Sequence, residues 1–190
     1  MRRLIFVINM SLDGCVDHTK QIVAGEGREY LQYFVDLMLH AGMQIFGRKT
    51  YELMVPYWPD VANDPSSSKE DVEFARAFQS LDKVVFSRSL SPRVEGNTRV
   101  VNTDLREEIL RLKNEEGKDI LVGGVDVPSQ LITLGLIDEI RVIIGPTIVG
   151  EGRRLFDHVL LPDNFPLKLT ETKVFGSGRV ALRYLTRDVV

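Results

Sequence analysis

Residues Asp119–Ile144 read DILVGGVDVPSQLITLGLIDEIRVII, and the fold turns on their order. Asp119–Val122 has the branched apolar residues of a short strand and runs directly into Gly123-Gly124. Val127–Leu134 repeats apolar residues at helical spacing and stops at Gly135, a common helix terminator. Glu139–Ile144 is again strand-like. Strand, helix and strand in close succession make the unit of a sheet that carries helices on its faces.

The alternation extends outward. Leu4–Asn9 (LIFVIN) is a near-continuous apolar run, as suits a strand covered on both faces, and it leads into the loop Met10–Gly14. Glu29–Gly42 reads as a helix with Leu31, Phe34, Val35, Met38 and Leu39 on one face, and Gly42 stands at its expected end. Gln44–Gly47 predicts a strand that opens into Arg48–Met54, and the Ser-rich stretch Asn63–Lys69 offers N-caps for a helix over Lys69–Gln79. Lys83–Phe86 and Thr98–Asn102 predict strands, with a charged helix over Leu105–Asn114. Leu167–Phe175 and Val180–Thr186 flank Gly176–Arg179 and predict a hairpin. The expected architecture is one α/β domain over residues 1–190: a mixed β-sheet flanked by helices, with a C-terminal antiparallel hairpin.

Composition narrows the function. With 190 residues, 44% hydrophobic, the chain can build a core. Its 24 Lys and Arg against 27 Asp and Glu leave a net charge of -3, which gives no basic field for nucleic acid. The apolar runs are too short for a membrane span. The first of them stops at Asn9, too early for a signal peptide, so a cytoplasmic protein is expected. The single cysteine, Cys15, excludes an internal disulfide, and His18, His40 and His158 lack metal-ligand spacing, so no metal site is proposed.

Three expected strands end in residues suited to phosphate: Gly47-Arg48-Lys49-Thr50, Ser87-Arg88-Ser89 and Gly123-Gly124. In open α/β sheets the ligand crevice lies at the carboxyl ends of the strands, where such loops meet. Paired glycines let backbone amides approach a phosphate at a helix N-terminus. Guanidinium groups such as those of Arg48 and Arg88 match a phosphomonoester, and Thr50 and Ser87 add hydroxyl donors. Neither a G-x-G-x-x-G fingerprint nor a Walker loop is present. Tyr57-Trp58-Pro59 reads either as a wall of a substrate pocket or as an aromatic-Pro corner that packs a loop.

Taken in order, Val7–Gly14 (VINMSLDG), Phe46–Glu52 (FGRKTYE), Val84–Leu90 (VVFSRSL) and Ile120–Gly124 with Gln130–Gly150 resemble the dihydrofolate-reductase-like superfamily. Within it, the chain is similar to the branch of the reductase domain of bacterial riboflavin biosynthesis. The resemblance implies an NADPH-dependent reductase of a small heterocycle, with 5-amino-6-(5-phosphoribosylamino)uracil reductase as the nearest activity. It implies that Arg48, Arg88 and Ser87 bind the 2′-phosphate, and that Gly47, Lys49, Thr50, Gly123 and Gly124 line the pyrophosphate. Ser11, Tyr57 and Trp58 would border the substrate, with Asp13 as the catalytic side chain; for Asp13 a plain Asp-Gly turn is the other reading. A homodimer is implied as well, with Val142–Ile144 and Pro146–Gly150 as its apolar surface.

The segment Ala24–Glu29 lacks the Trp and Pro that surround the pteridine-binding acid of true dihydrofolate reductases, so folate reduction is not expected. Glu26 and Glu29 are the candidate acids there. Asp126 is expected to N-cap the helix after Gly123-Gly124, where its carboxylate would compete with pyrophosphate for the same amides. A protein that binds NADP(H) and senses a ligand without turnover is the alternative function.

Overall fold

The computed structural model describes residues 1–20, 29–157, 159–160 and 164–186. The elements run β1 (Leu4–Ser11), α1 (Glu29–His40), β2 (Ala41–Gly47), α2 (Arg48–Asn63), α3 (Lys69–Ser80), β3 (Asp82–Phe86), β4 (Arg93–Glu95), β5 (Thr98–Val101), α4 (Leu105–Asn114), β6 (Asp119–Val122), α5 (Asp126–Thr133), β7 (Glu139–Gly145), β8 (Lys168–Val174) and β9 (Val180–Leu185). They form one mixed sheet in the order β4-β5-β3-β2-β6-β1-β7-β9-β8. The run from β5 to β7 is parallel throughout, so Gly47, Ser87, Asn102, Gly123 and Gly145 come together at one edge. The β8–β9 hairpin joins β7 antiparallel, as the sequence leads one to expect.

The apolar runs reflect burial on both faces. Along β1, Leu4, Phe6 and Ile8 enter the core under α4 and α5, whereas Ile5 faces the core under α1 and α3. In β6, Ile120 and Val122 take the first side and Leu121 the second. Removing a methyl-rich side chain such as fully buried Ile120 would cost about 2–5 kcal/mol in transfer and cavity terms.

Several sequence expectations change in the structure. Gly42 lies inside β2, next to a register shift between Ala41 and Met43, and α1 already ends at His40. Leu39 is 57% exposed, because Tyr33 and Leu37 take up the buried face instead. The aromatic-Pro corner is helix: α2 continues through Pro56 and Pro59, although neither imide can donate to the preceding turn. Asp126 is the first residue of α5, and Val125 takes the N-cap position without a side-chain hydrogen bond. Val142 and Ile143 are buried in a strand paired on both sides, so they offer no dimer surface; near them Ile148 and Leu12 are exposed. Glu26 and His158 lie outside the described residues.

Candidate functional site

A cleft of about 1640 Å³ opens at the carboxyl edge of the parallel strands. The helices α2, α4 and α5 begin there, and two of them lack side-chain caps: α2 starts after Gly47 and α5 after Val125. Two other helices carry side-chain caps: Ser68 caps α3, and Asp104, itself in the cleft lining, caps α4. An uncapped N-terminus leaves amide donors and the positive end of the helix dipole for an anion. Gly124 lies between them at φ +83, a left-handed conformation that favours glycine. A Cβ at that position would come within 2.5 Å of the Thr50 hydroxyl. The turn is thus a cradle that any larger residue would fill, and it fits a pyrophosphate.

One end of the cleft is cationic. Arg48, Lys49, Ser87, Arg88, Ser89, Thr103 and Arg106 all line it. Ser87 shapes this end from within: its amide donates to the Val101 carbonyl, while its hydroxyl accepts from the amides of Ser89 and Leu90. The loop is thereby folded so that exposed Arg88 stands at the rim. Arg48 is held by Glu52 one turn along α2, at 2.8 Å. Arg106 and Thr103 were hidden in sequence, because a charged helix start reads as a solvated face.

The other end is aromatic. Positions 53, 54, 57 and 58 of α2 share a helical face, which places Leu53, Met54, Tyr57 and Trp58 along one wall. Trp58 leans on Phe74 with ring centroids 4.2 Å apart, and Phe34 packs edge-on against Phe74 from α1. Arg179 of the β8–β9 turn covers the ring of Tyr30 at 4.3 Å. Glu29 fastens that turn by accepting from the Gly176 amide at 2.9 Å, so its carboxylate is engaged in structure. Gln44 lies in the floor, and its Oε1 and the Trp58 Nε1 are buried polar atoms without partners among the described residues.

The structure therefore brings Gly47, Arg48, Lys49, Thr50, Tyr57, Trp58, Ser87, Arg88, Gly123 and Gly124 to one cleft. It does not bring Ser11 and Asp13 there. Ser11 is 2% exposed; its hydroxyl donates to Asp13 at 2.6 Å and accepts from the Cys15 amide at 2.9 Å. Asp13 accepts from the amides of Val149 at 3.1 Å and Gly150 at 2.9 Å, and from Arg154 at 3.0 Å. The Ser11 hydroxyl, then the two amides and Arg154, hold the Asp13 carboxyl well below the usual carboxylate range. It is a charged clamp between two loops, a role nothing in the neighbouring sequence announces. No helix among the described residues is long and apolar enough to cross a membrane.

Known proteins share this fold. The chain is 33% identical over 184 residues to the uncharacterized protein YyaP of Bacillus subtilis (strain 168), covering 96% of this chain and 94% of the relative. A pyrimidine reductase-like protein from Corynebacterium diphtheriae superposes with a TM-score of 0.69 at 14% identity, covering 98% of this chain and 93% of the other. Dihydrofolate reductase from Enterococcus faecalis, solved with NADP(H) and RAB-propyl, superposes with a TM-score of 0.66 at 17% identity, covering 98% and 97%. The fold is dihydrofolate-reductase-like. The family model of the RibD C-terminal domain matches residues 2–181, and the chain belongs to that family.

Proposed function

We propose that the protein is an NADPH-dependent reductase of a small heterocyclic substrate, similar to 5-amino-6-(5-phosphoribosylamino)uracil reductase. The observation that carries this reading is the joining of two environments in one cleft: uncapped helix starts and guanidinium groups around Gly124, and an aromatic chamber beside them. Ser87, Arg88 and Arg106 would hold the 2′-phosphate of NADP(H), with Arg48 once it leaves Glu52. Gly47, Lys49, Thr50, Gly123 and Gly124 would hold the pyrophosphate. When bound, the nicotinamide supplies the hydride. The chain itself orients and shields: Tyr57, Trp58, Phe34 and Phe74 offer flat apolar surfaces that hold a planar acceptor and keep water away. Asp13 acts as a positioning residue for the loops, with Ser11 as its support.

In this reading the chain works as a single domain, in the cytoplasm, and as a homodimer whose contact includes Leu12 and Ile148. The test is loss of NADPH absorbance with the ribosylaminouracil phosphate and with dihydrofolate offered side by side. Oxidation with the first is expected. Turnover of dihydrofolate alone would contradict the assignment. The second reading, an NADP(H)-binding sensor without turnover, gains from Asp13 standing outside the cleft. NADPH binding with no oxidation by either acceptor would favour it.

A further inference from the structure

Arg153 and Arg154 are neighbours with opposite duties. Arg154 donates to Asp13 at 3.0 Å, and its backbone pairs with Cys15 in an isolated antiparallel bridge. The Arg153 carbonyl accepts from the Val16 amide at 2.8 Å, while its side chain lines the cleft and donates to Asp126 at 2.6 Å. Consecutive side chains of extended backbone point to opposite sides, so fixing Arg154 outside presents Arg153 inside. The Asp13 carboxylate secures the same segment again through the amides of Val149 and Gly150. The clamp described above therefore has a use: it sets a guanidinium at the first turn of α5.

Asp126 is the first residue of α5, directly beyond Gly123-Gly124 and Val125. A carboxylate there suits the helix dipole, yet it opposes a second anion entering the cradle. Its pairing with Arg153 cancels that charge. The two side chains are 38% and 61% exposed, and an ion pair this open contributes little stability, so an exchange of partner costs little. A guanidinium binds a phosphate with the same forked geometry it offers a carboxylate. We propose that Arg153 is a cofactor-binding residue held ready by Asp126, and that it turns to the pyrophosphate when the dinucleotide enters. Asp126 then tunes affinity downward, as a competitor for Arg153 and as a like charge. This inference rests on the reading of the cleft as an NADP(H) site.

Calorimetric titration of NADPH into the full chain and its R153A, D126N and double variants tests it. Arg153→Ala should weaken binding by roughly tenfold or more, the size of one lost charge-assisted hydrogen bond. Asp126→Asn should tighten it. The deciding variant is the double: Arg153→Ala must still weaken binding when position 126 is Asn. If it does not, Arg153 only neutralises Asp126 and the proposal is overturned. A second arm uses inorganic pyrophosphate and the melting temperature, which judges Arg153 even if wild-type protein ignores NADPH. Pyrophosphate stabilisation that disappears in the R153A variant supports the proposal. Stabilisation that persists in that variant, or that is missing in wild-type protein, overturns it.

Discussion

The Thr50 hydroxyl stands 2.5 Å from where a Cβ on residue 124 would be, so Thr50 and Gly124 define the cradle together. Gly124→Ala meets two obstacles, that contact and the φ of +83. The left-handed backbone alone costs a non-glycine residue about 1–2 kcal/mol. Thr50→Ala in the same background should recover the part due to the contact and leave the backbone part. Urea unfolding of the two single variants and the double resolves the two shares.

Arg88→Ala and Arg106→Ala should each weaken NADPH binding roughly tenfold while leaving NADH nearly unchanged, because only NADPH carries the extra phosphate. Arg48→Ala should cost less, since Glu52 already holds that guanidinium at 2.8 Å and must be displaced. Equal losses for both cofactors would place these cations elsewhere on the ligand.

Asp13→Asn should lower the melting temperature by several degrees, and Arg154→Ala should add little in the double variant, since both remove one clamp. The folded carboxyl titrates below its unfolded value, so its stabilisation is complete above about pH 4 and is lost as the pH falls further. The gap between wild type and the Asn variant should therefore shrink in acid. A gap that is flat down to pH 2 would contradict the clamp.

Lys83 is buried at the C-terminal end of α3, where its ammonium donates to the carbonyls of Leu81 and Gln79. Desolvation lowers its pKa to about 8, only partly opposed by the charge of Asp82. Between pH 8 and the unfolded value of 10.5 the unfolded chain binds the extra proton, so stability should rise with pH across that window. The rise is at most about 3 kcal/mol. Lys83→Met should abolish it, as read from denaturant midpoints at pH 8 and pH 10.5.

Leu12 and Ile148 are 64% and 71% exposed, and the Leu12 amide donates to the Thr147 carbonyl, which brings their loops together. Light scattering should find a dimer that Ile148→Asp dissociates. A single species of 21.5 kDa at micromolar concentration would contradict the homodimer.

What the sequence makes legible follows from range. Helix α4 and strand β6 fall on the residues read from pattern, because a charged helical stretch and a branched apolar run are local signals. Strand β4 has no such signal: Arg93, Val94 and Glu95 are all exposed and pair only with an edge. Helix α2 was obscured by Pro56 and Pro59, which local rules count as breaks. The glycine pair and the Ser-Arg turn at strand ends line one cleft. Asp-Gly at 13–14 carried both a turn and a chemical meaning, and its partners at 149, 150 and 154 lie far off in sequence, beyond the reach of local signals.

In the proposed function this cleft takes NADPH through its cationic end. Calorimetric titration of wild-type protein with NADPH and with NADH checks this. NADPH should bind at least roughly tenfold more tightly than NADH, the worth of one charge-assisted contact to the 2′-phosphate. Equal affinities, or no heat with either, would contradict it.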